Sequence, residues 1–189
     1  MSVRHTTQAD HATTLAAGTT AAKALAVLRI STGLVFLWAF LDKLFGLGYA
    51  TTAERAWING GSPTEGFLGG VEVGPFDTAF QAIAGAWWAN WLFMAGLAGI
   101  GIAVTLGIAL RLSAIAGTIM MLLMWLAEFP LDRFTAAGEP SMSTNPVIDY
   151  HIIYAIALIV AAMTYAGHTW GLGKQWAALP FVQRQKWLI

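Results

Sequence analysis

The sequence predicts an all-α integral membrane protein, a four-helix bundle with a long, partly ordered outer loop between helices 1 and 2. Three observations predict it. Hydrophobic residues make up 57% of the chain and charged residues only 11%, against about 25% charged in a soluble domain. Four apolar stretches, 25–45, 91–110, 112–128 and 147–165, have roughly the length that crosses a bilayer. The Lys and Arg residues between them sort to one side.

The chain before the first span, residues 1–22, is polar and rich in Thr and Ala. It reads as a disordered cytoplasmic tail, with His5 and His11 solvated in it. It is not read as a secretory signal, because the apolar run that follows exceeds a signal core and lacks a small-residue cleavage site. The membrane domain is expected over 23–170. Span 1 carries Arg29, Asp42 and Lys43. Ionisable groups are costly inside a span, so they face protein, a cavity or the interface. Arg29 and Lys43 lie about 21 Å apart along the helix, near one face. Arg29 is expected to snorkel to the inner headgroups.

The segment 46–90 is long for a connection. Gly60-Gly61-Ser62-Pro63 and Gly69-Gly70 are turn chemistry. Trp57, Phe67, Phe76, Phe80, Trp87 and Trp88 predict that it packs on the bundle or lies at the interface, with a short interfacial helix over 76–88. Such a loop serves either as a structural lid or as a functional element. Span 2 carries Ala95, Gly99, Ala103 and Gly107 at intervals of four, a stripe that predicts close helix approach. Arg111 sits in a short inner turn, so spans 2 and 3 are antiparallel neighbours. Met120, Met121, Met124 and Trp125 on span 3 serve either packing or the wall of a quinone pocket. Asn145 and Pro146 are expected as the N-cap and first residue of span 4, with Asp149 in its first turns, where the dipole favours a negative charge. The tail 171–189 follows Trp170 and combines Trp176, Leu179, Phe181 and Trp187 with Lys174, Arg184 and Lys186, the pattern of an interfacial anchor.

With the N-terminus inside, six basic residues lie on the cytoplasmic side (Arg4, Lys23, Arg111, Lys174, Arg184, Lys186) and two outside (Arg55, Arg133). The positive-inside rule therefore predicts a multi-pass plasma-membrane protein with both termini cytoplasmic. Eight acids share the outer side: Glu54, Glu65, Glu72, Asp77, Glu128, Asp132, Glu139 and Asp149. The formal net charge of zero gives no attraction to nucleic acid. The absence of cysteine excludes disulfide exchange, thiolate nucleophiles and sulfur-ligated metals.

Height in the bilayer gathers Asp42, Lys43, Glu128, Asp149 and His151 at one depth, near the outer interface. Asp149 and His151 are two apart, so on a regular helix they point to nearly opposite faces. Two readings stand. Lys43 pairs with Glu128 or Asp149 and staples the bundle. Alternatively the cluster borders a quinone headgroup or an anionic substrate, with His151 or an acid carrying protons. Helix N-termini on that side attract anions, while the eight acids oppose them.

Leu28-Arg29-Ile30, Trp38-Ala39-Phe40-Leu41-Asp42-Lys43 and Asn145-Pro146 with Asp149-Tyr150-His151 resemble the DoxX/DoxD family of small four-helix membrane proteins. The runs Trp57-Ile58-Asn59-Gly60-Gly61-Ser62-Pro63 and Met124-Trp125-Leu126-Ala127-Glu128 resemble its actinobacterial members. The resemblance covers about residues 24–170. Its motif residues here are Arg29, Asp42, Lys43, Glu128, Asp149 and His151. It implies a membrane subunit of a quinone-linked oxidoreductase, as in a thiosulfate–quinone oxidoreductase where DoxD works with a second subunit, DoxA. Asp42, Lys43, Glu128, Asp149 and His151 are then the candidate catalytic residues. Lys43, Trp125 and His151 are candidates to bind the quinone, and no metal is expected. Membrane lipid and a second subunit are the expected partners. The rival expectation is a non-catalytic accessory subunit of a respiratory or redox complex. Solute transport is weaker, since four spans without an internal repeat leave little room for alternating access.

Overall fold

The computed structural model describes residues 19–188. His5, His11 and most of the expected tail lie outside the described residues. The first helix, α1 (Thr20–Phe45), starts earlier than the expected span and takes in residues 20–22. Its opening run is rich in Ala, the best helix former. The Thr19 hydroxyl caps it by accepting from the Ala22 amide at 3.1 Å. Gly46 ends it with φ of 66°, a left-handed C-cap.

The long connection holds two 3₁₀ turns, Ala53–Arg55 and Trp57–Asn59, and two short helices, α2 (Glu65–Leu68) and α3 (Asp77–Ile83). The helix expected over 76–88 is therefore split. Gly85, at φ of 74°, breaks it, and Trp87 and Trp88 open the next helix instead. That helix, α4 (Trp87–Leu106), closes on left-handed Gly107. Residues 107–109 turn directly into α5 (Leu110–Glu128).

The fourth span differs most from expectation. Asn145 is not its N-cap. The Asn145 Oδ1 accepts from the amides of Val147 and Ile148, each at 2.9 Å, and forms a local turn. Asp149 is the cap instead, accepting from the amides of His151 and Ile152 at 3.0 and 3.2 Å. The helix α6 (Tyr150–Met163) has 14 residues, about 21 Å at 1.5 Å per residue. Thus α1, α4 and α5 are long and apolar enough to cross a membrane, and α6 is a shorter apolar helix. A 3₁₀ turn (Ala166–His168), α7 (Gly173–Ala177), α8 (Pro180–Arg184) and a last 3₁₀ turn (Lys186–Leu188) follow.

The bundle is a ring in which α1 packs on α4 and α6, and α5 packs on α6 and α4. Neighbours run antiparallel. The connections 46–86 and 129–149 lie at one end, here the loop end; the 107–109 turn and the segment after α6 lie at the other, the terminal end. The core is Phe36, Met94, Leu97, Ile100, Val104, Met121, Leu158 and the small residues Ala114, Ala155 and Ala162. Outside, Leu34, Leu92, Ile102, Ile115, Ile119, Leu123, Ile153 and Ile156 are exposed. A helical bundle with satisfied backbone and an apolar outer surface is what a bilayer accepts.

The small residues that bring helices together are not the expected stripe. Ala95 and Gly99 are exposed, and nothing lies within 4 Å of where a Gly99 Cβ would be. The close approach of α1 and α4 uses Gly101 and Gly33. A Cβ on Gly101 would stand 2.6 Å from the Leu37 nitrogen, and one on Gly33 would stand 2.6 Å from the Thr105 nitrogen. Of the two glycines of the stripe, Gly107 makes a close contact, against Gly167, and Gly99 does not. Spacing of four marks a helix face; it does not say which face meets a partner.

This difference sets a test by thermal unfolding in detergent. Gly101→Ala is expected to destabilise by about 1–3 kcal/mol, because backbone must move to admit the methyl group. Gly99→Ala is expected to be neutral or to stabilise by up to about 1 kcal/mol through helix propensity. Equal effects would place the helix contact elsewhere.

Candidate functional site

Three of the expected site residues meet at the loop end. Glu128 is the last residue of α5, Asp149 caps α6, and His151 lies in its first turn. One ligand-type atom from each lies within 4.8 Å of the other two. The expectation that Asp149 and His151 diverge fails because Asp149 stands outside the helix. Freed from helical periodicity, its carboxylate folds over the first turn. The Asp149 Oδ2 lies 2.8 Å from His151 Nδ1 while Oδ1 accepts backbone amides. The His151 ring is fully buried, and its Nε2 has no hydrogen-bond partner among the described residues. That nitrogen faces Glu128 Oε1 at 3.9 Å, beyond hydrogen-bond range. Tyr150, absent from the expected site, donates its hydroxyl to Glu128 Oε1 at 2.6 Å. Its place beside His151 in the motif was the available signal.

Asp42 and Lys43 do not join this cluster. Asp42 is buried, and its two carboxylate oxygens accept from the amides of Tyr49 at 3.3 Å and Ala50 at 3.1 Å. It pins the start of the long connection. Half-buried Lys43 has no carboxylate within 4 Å among the described residues, so it staples neither Glu128 nor Asp149. Its ammonium stands 6.0 Å from the centre of the Phe93 ring, at the limit of cation–π attraction. The Trp125 indole nitrogen is buried without a hydrogen-bond partner among the described residues.

Arg29 does not snorkel. It is fully buried at the terminal end. Its guanidinium donates to the carbonyls of Val104 at 2.6 Å, of Thr105, and of Trp170 at 2.9 Å. The first two are carbonyls of the last turn of α4, which carry the negative end of its dipole; the Val104 carbonyl also accepts from the C-cap amide of Gly107 at 3.1 Å. Also at this end is His168. Burial first, and the charge of Lys174 second, hold its imidazole below the ordinary histidine value.

A second feature was partly legible in the sequence: of Met120, Met121, Met124 and Trp125, offered as packing or a pocket wall, Met120 and Met124 line a crevice and Met121 packs in the core. An apolar crevice of about 550 Å³ opens between the loop-end halves of α4 and α5. Leu92, Phe93 and Gly96 line one wall, and Ile119, Met120, Leu123 and Met124 the other. The connection roofs it with Pro63, Phe67, Phe80 and Ile83. That roof is held by buried Asn90, whose Oδ1 accepts from the Thr64 amide at 3.0 Å and the Thr64 hydroxyl at 2.7 Å. Lys43, Trp125 and His151 do not line the crevice, although Lys43 sits over Phe93, which does. Met124, on its wall, is one helical turn before Glu128.

A family model described as DoxX matches residues 24–128. The match includes Arg29, Asp42, Lys43, Trp125 and Glu128 and ends before Asp149 and His151. No curated protein and no solved structure matches the chain.

The Asp42 assignment is testable by amide hydrogen exchange. Asp42→Ala is expected to speed exchange at Tyr49 and Ala50 and to cost about 1–2 kcal/mol of stability. Unchanged exchange at both amides would show that another group anchors the connection.

Proposed function

The chain belongs to the DoxX family, and we propose that it is a membrane subunit of a quinone-linked oxidoreductase. The observation that carries this reading is the crevice. Its volume lies in the range of small-molecule and cofactor sites, about 300–1,000 Å³. Its wall residues Leu92, Ile119 and Leu123 are exposed on the bilayer-facing surface, so an isoprenoid chain enters sideways from the lipid. The quinone ring would then lie under the roof of Pro63, Phe67 and Phe80, one turn of α5 from Glu128.

Quinone reduction takes up two electrons and two protons. The chain has no cysteine, so the electrons come from a partner subunit or directly from a donor. Thiosulfate is the donor that the family resemblance suggests. The protein takes a plasma-membrane position with both termini cytoplasmic, which puts the loop end and the donor outside. One observation favours the accessory-subunit reading: among the described residues, no charged side chain lines the crevice. In that case a lipid chain fills it and the catalysis belongs to the partner.

Photoaffinity labelling separates these readings. A photoreactive ubiquinone or menaquinone analogue, with the protein in nanodiscs, is expected to label 92–100 and 116–124. Gly96→Leu, whose side chain would run into Met120, is expected to reduce labelling at least fivefold. Labelling spread over all lipid-facing helices, and unchanged by Gly96→Leu, would reject the quinone site. Thiosulfate-dependent quinone reduction in vesicles, with and without a co-purified partner, then tests the donor.

The orientation has its own test, made simple by the absence of native cysteine. Single cysteines at Ser62 or Ser143 are expected to react with an impermeant maleimide on intact cells. One at Gln183 should react only after permeabilisation. The reverse pattern would invert the topology.

A further inference from the structure

We infer that Glu128 and His151, with Asp149 behind them, bind a divalent transition-metal ion at the loop end of the bundle. The inference is independent of the quinone reading and stands on local geometry. His151 is fully buried, yet its Nε2 has no partner and points at Glu128 Oε1, 3.9 Å away. That gap is too long for a hydrogen bond, which needs about 2.7–3.2 Å. It is too short for a bridging water, since two hydrogen bonds of about 2.8 Å at a tetrahedral angle span roughly 4.6 Å. It suits an ion at about 2.0–2.2 Å from each atom, with an open angle between the two bonds.

The neighbouring groups have the arrangement that metal-binding histidines use. The Asp149 Oδ2 lies 2.8 Å from His151 Nδ1. A proton held on Nδ1 by that carboxylate leaves the Nε2 lone pair free for the ion, and the carboxylate fixes the ring orientation. Tyr150 donates to Glu128 Oε1 at 2.6 Å and so orients the second ligand. Asp149 Oδ1 is occupied by backbone amides. Asp149 therefore acts as a supporting group, and water or an external ligand completes the coordination.

One imidazole and one carboxylate, without thiolate, suit borderline ions such as Zn²⁺ or Co²⁺ better than Cu⁺. The Glu128 side chain is 37% exposed, which gives the ion a path from the aqueous loop end.

The test uses the full chain in nanodiscs, stripped with chelator and titrated with Co²⁺ followed by visible absorption, with Zn²⁺ as competitor. One Co²⁺ per chain is expected, displaced by Zn²⁺. Glu128→Gln and His151→Gln are each expected to weaken binding at least tenfold. Glu128→Gln alters a partly exposed group, so it keeps the test decisive if His151→Gln unfolds. Asp149→Asn retains a good helix cap and is expected to weaken binding about 10–100-fold. Glu139→Gln, and the double variant His5→Ala, His11→Ala, should bind as the native chain does. Absence of saturable binding by the folded protein would overturn the inference. So would wild-type affinity in Glu128→Gln, or loss of binding in the tail double variant.

Discussion

The buried guanidinium of Arg29 sets the geometry of the terminal end. It lies in the first half of α1 but donates to the end of α4 and to the chain that follows α6. A lone positive charge in an apolar bundle is costly unless it is hydrogen-bonded. Here the compensation comes from two helix-terminal carbonyls and one loop carbonyl, and no carboxylate lies within 4 Å among the described residues. That requires three segments to converge within reach of one side chain. Glycines make room for it: a Cβ on Gly107 would stand 3.0 Å from Arg29 Nη1, and one on Gly171 would stand 3.2 Å from Nη2. The Leu172 amide bonding to the Leu106 carbonyl at 2.8 Å closes the same knot.

A bundle pinned at one end can open at the other. The three-residue turn 107–109 keeps α4 and α5 together at the terminal end. They meet again near Ile100, about 3.6 Å from where a Gly117 Cβ would stand. Beyond that level the crevice separates them, from Ala116 to Met124 on α5 and from Ile100 back to Trp88 on α4. The long connection fills the gap from above instead of a fifth helix. Its aromatic content now has a physical use, since Phe67 and Phe80 roof the crevice and Trp57 packs edge-on against Trp91 at 4.7 Å. The loop is thus an ordered lid whose placement depends on the Asn90–Thr64 hydrogen bonds.

The sequence made the helices legible because apolar length is a local property. Relations between helices were legible where a short turn or depth alone decided them. Glu128 and His151 meet because both lie at the loop end, which counting along the spans predicts. Asp42 shares that depth but is claimed by amides seven and eight residues away in its own connection. A helix that starts at Pro146 would carry Asp149 within its first turns, facing away from His151. Moving the start to Tyr150 turns a residue on the opposite face into a cap beside the ring. Arg29 could not be read at all without knowing where α4 ends in space.

The polar residues of this bundle therefore differ in what their buried atoms face. Asp42 has a backbone partner for each carboxylate oxygen, and the two terminal nitrogens of Arg29 have three, although Arg29 Nε has no partner among the described residues; each residue holds a segment in place. His151 is equally buried but keeps one nitrogen unpaired toward a carboxylate. Packing alone does not call for that arrangement, because an apolar side chain of similar size would avoid an unsatisfied buried group. Asp149 holds the ring by its other nitrogen, so the unpaired one cannot turn away to find a partner. The same constraint that orders the start of α6 keeps a nitrogen aimed at Glu128, and that combination separates the loop-end cluster from the structural charges elsewhere in the protein.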